Sequence, residues 1–132
     1  MGARFANNAQ LRIACYHSIT VGYRTGFGYD VLMMDTNCHR MKNEDGEFVS
    51  SGVAPIVTGE YNWIGTRCMV MPGALTAPFT TVAANSLINR TFTESRIIVA
   101  GSPVVIKKRG IWRDRDDDQI DYEAIAAAQS QA

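Results

Sequence analysis

Net charge is the first thing this sequence lacks. Lys and Arg together number 13 and Asp and Glu 13 over 132 residues, so no global field draws the chain to nucleic acid or anionic lipid. Cysteine is scarce and odd in number. Cys15, Cys38 and Cys68 show no CxxC spacing, which argues against a disulfide framework or zinc site and for reduced thiols in a cytoplasm. Long hydrophobic runs are missing too: none approaches the roughly 18 apolar residues of a membrane span, and no signal-peptide pattern is read at the start. Met1-Gly2 opens like a myristoylation site, but Ala6 stands where Ser or Thr is needed. What remains is one domain with a modest core.

What is present is a period. Stepping in sixes from Thr58 meets Ile64, Val70, Thr76, Val82 and Ile88, and four positions after each come Asn62, Cys68, Ala74, Thr80, Ser86 and Phe92, mostly small. Six fits neither a helix nor a lone strand. It is the period of a parallel β-helix in which three short strands and three corners take about 18 residues per coil. The six-residue step sets its first residue inward, stacked on its counterparts in neighbouring coils, and leaves room for only a small side chain at the second inward position. A looser copy runs through Ala9, Cys15, Val21, Phe27 and Met33, with Ile13, Ile19, Thr25 and Val31 at the second position. Its phase breaks after Met33.

The break predicts an extruded corner loop over 40–57, rich in charge and turn formers, and such insertions sit on the functional face of solenoids. After Ile88 the pattern predicts a short strand Ile97–Val99 and another over Val104–Ile106. The tail shifts to an acidic run and an alanine cluster, which predicts a short helix capped near Asp118. Laid over an end of the prism, that helix would cover an exposed strand edge. The expected organisation is all-β: a β-helix domain over 1–113 and a C-terminal tail with a short helix over 114–132.

Several motifs carry a resemblance. Trp63-Ile64-Gly65, Met71-Pro72-Gly73, Val82-Ala83-Ala84-Asn85-Ser86 and Val99-Ala100-Gly101-Ser102-Pro103 resemble, in order and spacing, the hexapeptide-repeat acetyltransferases. The branch is that of galactoside, maltose and capsular or lipopolysaccharide sugar O-acetyltransferases. Upstream, Ile19-Thr20-Val21-Gly22 and Met34-Asp35-Thr36-Asn37-Cys38-His39 resemble the same family, so the match covers residues 8–109. The resemblance implies a left-handed coil, against the usual right-handed crossover. It also implies a homotrimer with acetyl-CoA held in a groove between prisms, and a sugar or polysaccharide precursor as acceptor.

By the same resemblance the catalytic histidine corresponds to His39. An alcohol is almost wholly protonated at neutral pH, and an imidazole can take that proton as the oxygen attacks the thioester. Asp35, four residues earlier, either orients the ring, as a triad carboxylate does, or serves the corner structurally. His17 either borders the acceptor pocket or is simply exposed, and Asn8 falls where the galactoside branch has an acceptor-binding asparagine. The resemblance places Trp63 at the pantetheine or acceptor end. It gives the backbone of Gly65-Thr66 and Ala83-Ala84 to the pantetheine amides, small residues permitting close approach. Asn89 and Arg90 stand where the family has a Thr-Lys pair. Arg90, Lys107 and Lys108 are the implied phosphate partners, unless the last two belong to a plain basic terminus. No metal is expected: the gamma-type carbonic anhydrases of this shape need three histidines, and this chain has two. Two other readings stay open, a prism that only binds acyl-CoA or acts as a scaffold, and a serine or amino-sugar N-acetyltransferase.

Overall fold

A computed structural model describes residues 10–130. The chain winds through four coils of three strands. The first holds β1 (Leu11–Ala14), β2 (Ile19–Val21) and β3 (Gly26–Phe27), and the second β4 (Val31–Met34), β5 (Ile56–Thr58) and β6 (Trp63–Ile64). The third holds β7 (Met69–Val70), β8 (Leu75–Thr76) and β9 (Thr81–Val82), the fourth β10 (Leu87–Ile88), β11 (Thr91–Phe92) and β12 (Ile97–Gly101). Strands stack into three sheets, β1-β4-β7-β10, β2-β5-β8-β11 and β3-β6-β9-β12, parallel throughout. A final strand, β13 (Val104–Arg109), folds back antiparallel on β12 and extends the third sheet.

Two-residue strands give each side one inward and one outward residue. All six expected inward residues, Thr58, Ile64, Val70, Thr76, Val82 and Ile88, are buried. The second inward positions hold small polar residues because the corner leaves a carbonyl to satisfy. Thr25, Thr80 and Ser86 each donate a hydroxyl to the carbonyl three residues back, at 2.7, 2.8 and 2.7 Å. Corners turn through left-handed residues: Arg24, Tyr61, Phe79 and Arg96 on one edge, Asp30, Arg67 and Asn85 on another, with φ of 56–60°. Where a corner glycine has ordinary φ, close packing explains it. A Cβ on Gly65 would lie 2.7 Å from Val82 O and 2.8 Å from Ala84 N of the next coil.

The structure corrects the reading at four places. The step of six predicts Cys15 inward. Instead Ile13 pairs with Met33, and Cys15 falls in the exposed turn beyond. Phe92 is not a second-position residue but the inward residue of β11, opposite Thr76, because the corner after Ile88 is short. The loop occupies 35–55 rather than 40–57, since Ile56 is fully buried in β5. It is a hairpin-like finger, bridged at Thr36–Val53 and Lys42–Phe48, with Asn37 N donating to Gly52 O at 2.7 Å. Finally, the helix α1 (Tyr122–Ser130) buries none of its residues, and Asp121, not Asp118, accepts from Ala124 N at 2.9 Å near its start. In the last coil β13 covers the edge of β12, while β10 and β11 end their sheets, and the segment 110–118 runs back along the third sheet.

Candidate active site

The three edges of the prism differ in regularity. From the third face to the first, six residues separate Phe27 from Met33, Ile64 from Val70 and Val82 from Ile88. From the first face to the second, the gaps are eight from Ile13 to Val21, 25 from Met33 to Thr58, six from Val70 to Thr76 and four from Ile88 to Phe92. Only this edge varies so widely. It carries the Cys15–Ser18 turn, the 35–55 finger, Met71–Gly73 and Asn89–Arg90. His17, His39, Asn89 and Arg90 are therefore brought to one edge, all exposed. A cavity of about 240 Å³ opens there, lined by Asn37, Met71, Pro72, Leu87 and Asn89. A second, of about 350 Å³, is lined by Tyr16, Thr36, Cys38 and Val53.

Asp35 is wholly buried at the root of the finger. Its Oδ1 accepts from Tyr16 N at 2.8 Å, and its Oδ2 from His17 N and Ser18 N, each at 2.7 Å. The Cys15 thiol lies 3.7 Å from Oδ2. Burial pushes the carboxyl up, but the three N–H groups and the thiol outweigh it and hold the carboxyl below its ordinary value. Of the two roles open to Asp35, the hydrogen bonds it makes are those of the structural one. Both oxygens staple the first coil's turn to the second, and a bond to the His39 ring is not among them.

Trp63, Gly65, Thr66, Ala83 and Ala84 gather elsewhere. Trp63 lies in β6 on the third face, and the four small residues form the next edge. Several backbone groups expected to meet a ligand there already hold the coils together. Gly65 N donates to Val82 O at 2.9 Å, Ala83 N to Val99 O at 2.9 Å, and Thr66 O accepts from Asn85 N at 2.8 Å. Ala83 O accepts from Ser86 Oγ and the Cys68 thiol. The third-face row Gly26–Trp63–Thr81–Ile98–Lys108 continues in register, so Lys108 and its neighbour Lys107 stand exposed at the far end from Gly26. One chain thus places its histidines and its Trp63 cluster on different edges. Asn8 lies outside the described residues.

No family model matches the sequence. WbbJ of Escherichia coli K12, provisionally named as a lipopolysaccharide biosynthesis O-acetyl transferase, is 27% identical over 117 residues, covering 79% of this chain. The chain spans 59% of that relative's length. The solved polySia-specific acetyltransferase NeuO superposes with a TM-score of 0.68 over 98% of this chain and 73% of its own, at 18% identity. A hexapeptide-repeat acetyltransferase of Vibrio cholerae, solved with acetyl coenzyme A, gives 0.59 over 86% and 71%, at 17% identity. The chain is similar in fold to a solved hexapeptide-repeat acetyltransferase and in sequence to a named O-acetyl transferase.

The likeness to these solved structures bears out the left-handed coil and shows the fold, not the reaction. Within this hexapeptide-repeat chain, sequence reasoning missed Asn37 and Leu87 as cavity residues and gave Met71 and Pro72 no role beyond their motif. For Asn37 a signal was available, since its motif opens the 25-residue gap, whereas Met71 and Pro72 lie in the one corner of that edge that keeps six. It also missed Arg24, Arg113 and Arg115, which meet only in space. Among the described residues, no group of three or more His, Cys, Asp or Glu could hold a metal, and no helix is long and apolar enough to cross a membrane.

Proposed function

We propose that this chain transfers the acetyl group of acetyl-CoA to a hydroxyl of a sugar or polysaccharide precursor, with His39 as general base. The observation that carries the proposal is the position of His39. It stands exposed on the one edge that departs freely from the repeat, two residues from Asn37, which lines a cavity with Asn89. The names of WbbJ and NeuO and the bound acetyl coenzyme A of the Vibrio protein supply the chemistry. The cavity suits the reactive arm of that donor: apolar Met71, Pro72 and Leu87, with two amides to meet its polar groups. The His39 imidazole takes the acceptor proton as the oxygen attacks the thioester carbonyl, and the thiolate of coenzyme A leaves and recovers a proton.

Because His39 and the Trp63–Gly65–Ala84 surface occupy different edges, a second copy of the chain is needed to bring them to one donor. A homotrimer, with a groove between prisms, meets that need. Gly65, Thr66, Ala83 and Ala84 would line it, while Arg90, Lys107 and Lys108 would steady the donor's polar end. His17 shares the edge of His39 and would flank the acceptor. Three unpaired cysteines suit a reducing cytoplasm.

The test is thiol release from acetyl-CoA with a panel of sugars, wild type against His39→Ala. A fall in kcat of about 10²–10⁴-fold is expected, with the melting temperature unchanged because the side chain is exposed. Equal rates would remove the assignment. Calorimetry with coenzyme A separates a scaffold that does not bind the donor from the readings in which it does.

A further inference from the structure

Segment 110–118 lies along the outer side of the third sheet and brings two guanidinium groups back to the first coil. The Arg113 guanidinium stacks over the Trp63 indole, 4.7 Å from the ring. Arg113 Nη1 and Arg115 Nη1 lie 2.8 and 3.0 Å from the point a Cβ on Gly26 would occupy, which confines the two nitrogens to one small space. Arg115 Nη1 also donates to the Arg24 backbone carbonyl at 3.1 Å, and the Arg24 guanidinium reaches Asp116 of the same segment, which gathers three arginines into one cluster. Two carboxylates answer it. Asp116 Oδ1 pairs with Arg24 Nη2 at 2.8 Å, from a side chain 66% exposed, and Asp118 pairs with Arg113. Asp114 and Asp117 of the same segment are exposed.

The two pairs do not use up the donors. Arg24 Nε and Arg113 Nη1 are buried with no hydrogen-bond partner, a costly state for charged donors. Burial, with Arg113 and Arg24 alongside, also depresses the Arg115 guanidinium. Buried guanidinium N–H groups without acceptors, beside an indole face, match the fork geometry of an oxyanion. We propose that Arg24, Arg113 and Arg115 form an anion site that takes a carboxylate or phosphate group of a ligand lying against Trp63. The site is separate from Lys107 and Lys108. From β3 to β13 the third sheet steps through four strand spacings, about 19 Å. Its anion therefore need not come from the end of the donor that those lysines would hold. Two sources share the chemistry, an acidic sugar and a phosphorylated ligand.

Titration calorimetry at low salt, on the full chain, decides the matter without any reading of acetyl transfer. The probes are glucuronate, inorganic phosphate and glucose, then coenzyme A against pantetheine. The expectation is that wild type binds glucuronate or phosphate but not glucose. Arg113→Gln and Arg115→Gln should each weaken that binding at least about tenfold, while Lys108→Gln should not. Preference for glucuronate identifies an acidic sugar. Preference for phosphate, with coenzyme A losing affinity in the same variants and pantetheine not, identifies a phosphorylated ligand. Absence of binding by either anion overturns the proposal, as does equal weakening by Lys108→Gln or no weakening in both arginine variants. Circular dichroism melts confirm that each variant keeps the prism, and the His39 assay reads the acetyl-transfer proposal separately.

Discussion

Two edges of one prism show what the repeat governs and what it leaves free. On the edge from the third face to the first, every gap is six residues, and glycines, alanines and hydroxyl side chains recur because coils touch there backbone to backbone. On the edge from the first face to the second, the gaps run from four to 25 residues. Stacking of inward residues tolerates any corner that returns the next strand to register, and cost rises only slowly with loop length. Packing thus writes one edge, and the other is available for side chains with a task. His39 and the Asn37–Asn89 cavity are on the free one.

The largest stability effect should come from disturbing the governed edge. Gly65→Val places side-chain atoms into the Val82 and Ala84 backbone of the next coil, which cannot swing aside as a flexible side chain can. A loss of about 3 kcal/mol in urea unfolding is expected. Gly46→Ala, in the finger, is the counterpart: its Cβ would meet nothing within 4 Å. Its φ of +78° leaves a strain of only about 1 kcal/mol. If both substitutions cost the same, the contrast between edges is wrong.

The free edge has one rigid point, Asp35. Asp35→Asn removes the charge that three backbone N–H groups address, and a loss of about 1–2 kcal/mol at pH 7 is expected. The pH dependence gives the sign. A carboxyl held below its ordinary value contributes stability that is complete above about pH 4, and loses it as pH falls through the folded-state value. The gap between wild type and variant should therefore close in acid. A gap that stays constant down to pH 2 would show that the charge is not what matters.

Much of this was legible beforehand, and the failures share a cause. The inward positions from Thr58 to Ile88 could be read because volume and period impose them. His39 was singled out by a motif, and the structure sets it exposed on the free edge. Cys15 and Phe92 were misplaced because a two-residue change in corner length shifts the phase without altering composition. The loop ran wide at its end because Ile56 and Val57 follow a turn-forming stretch, although a strand needs them. Arg113 and Arg115 had no signal at all. Their meeting with Arg24 depends on a segment running back along the sheet, and no local pattern encodes that path.

The edge between the second and third faces tests an intermediate case, governed by stacking but partly exposed. Tyr61 and Phe79 occupy equivalent corners one coil apart, their rings 5.0 Å between centroids and 5° from parallel. Arg24 and Arg96 close the column at 5.9 and 5.7 Å. Phe79→Leu keeps the apolar volume and removes the stack, so a loss of about 1 kcal/mol is expected. A neutral result would mean that the left-handed corner alone sets this edge.

The smallest effect belongs to the closing strand. Arg109 Nε pairs with Glu94 at 2.9 Å across the end of the prism, but the side chains are 64% and 46% exposed. Such pairs contribute roughly 0–1 kcal/mol and are screened by salt. What holds β13 is its pairing with β12 and the burial of Val104. Arg109→Gln should therefore change stability by no more than about 0.5 kcal/mol, with no difference left at 1 M salt. Val104→Ala should cost more, about 1–2 kcal/mol, because it uncovers the last inward layer. Should the arginine prove the more costly of the two, the end of this prism is closed by charge rather than by the stacking that orders the coils above it.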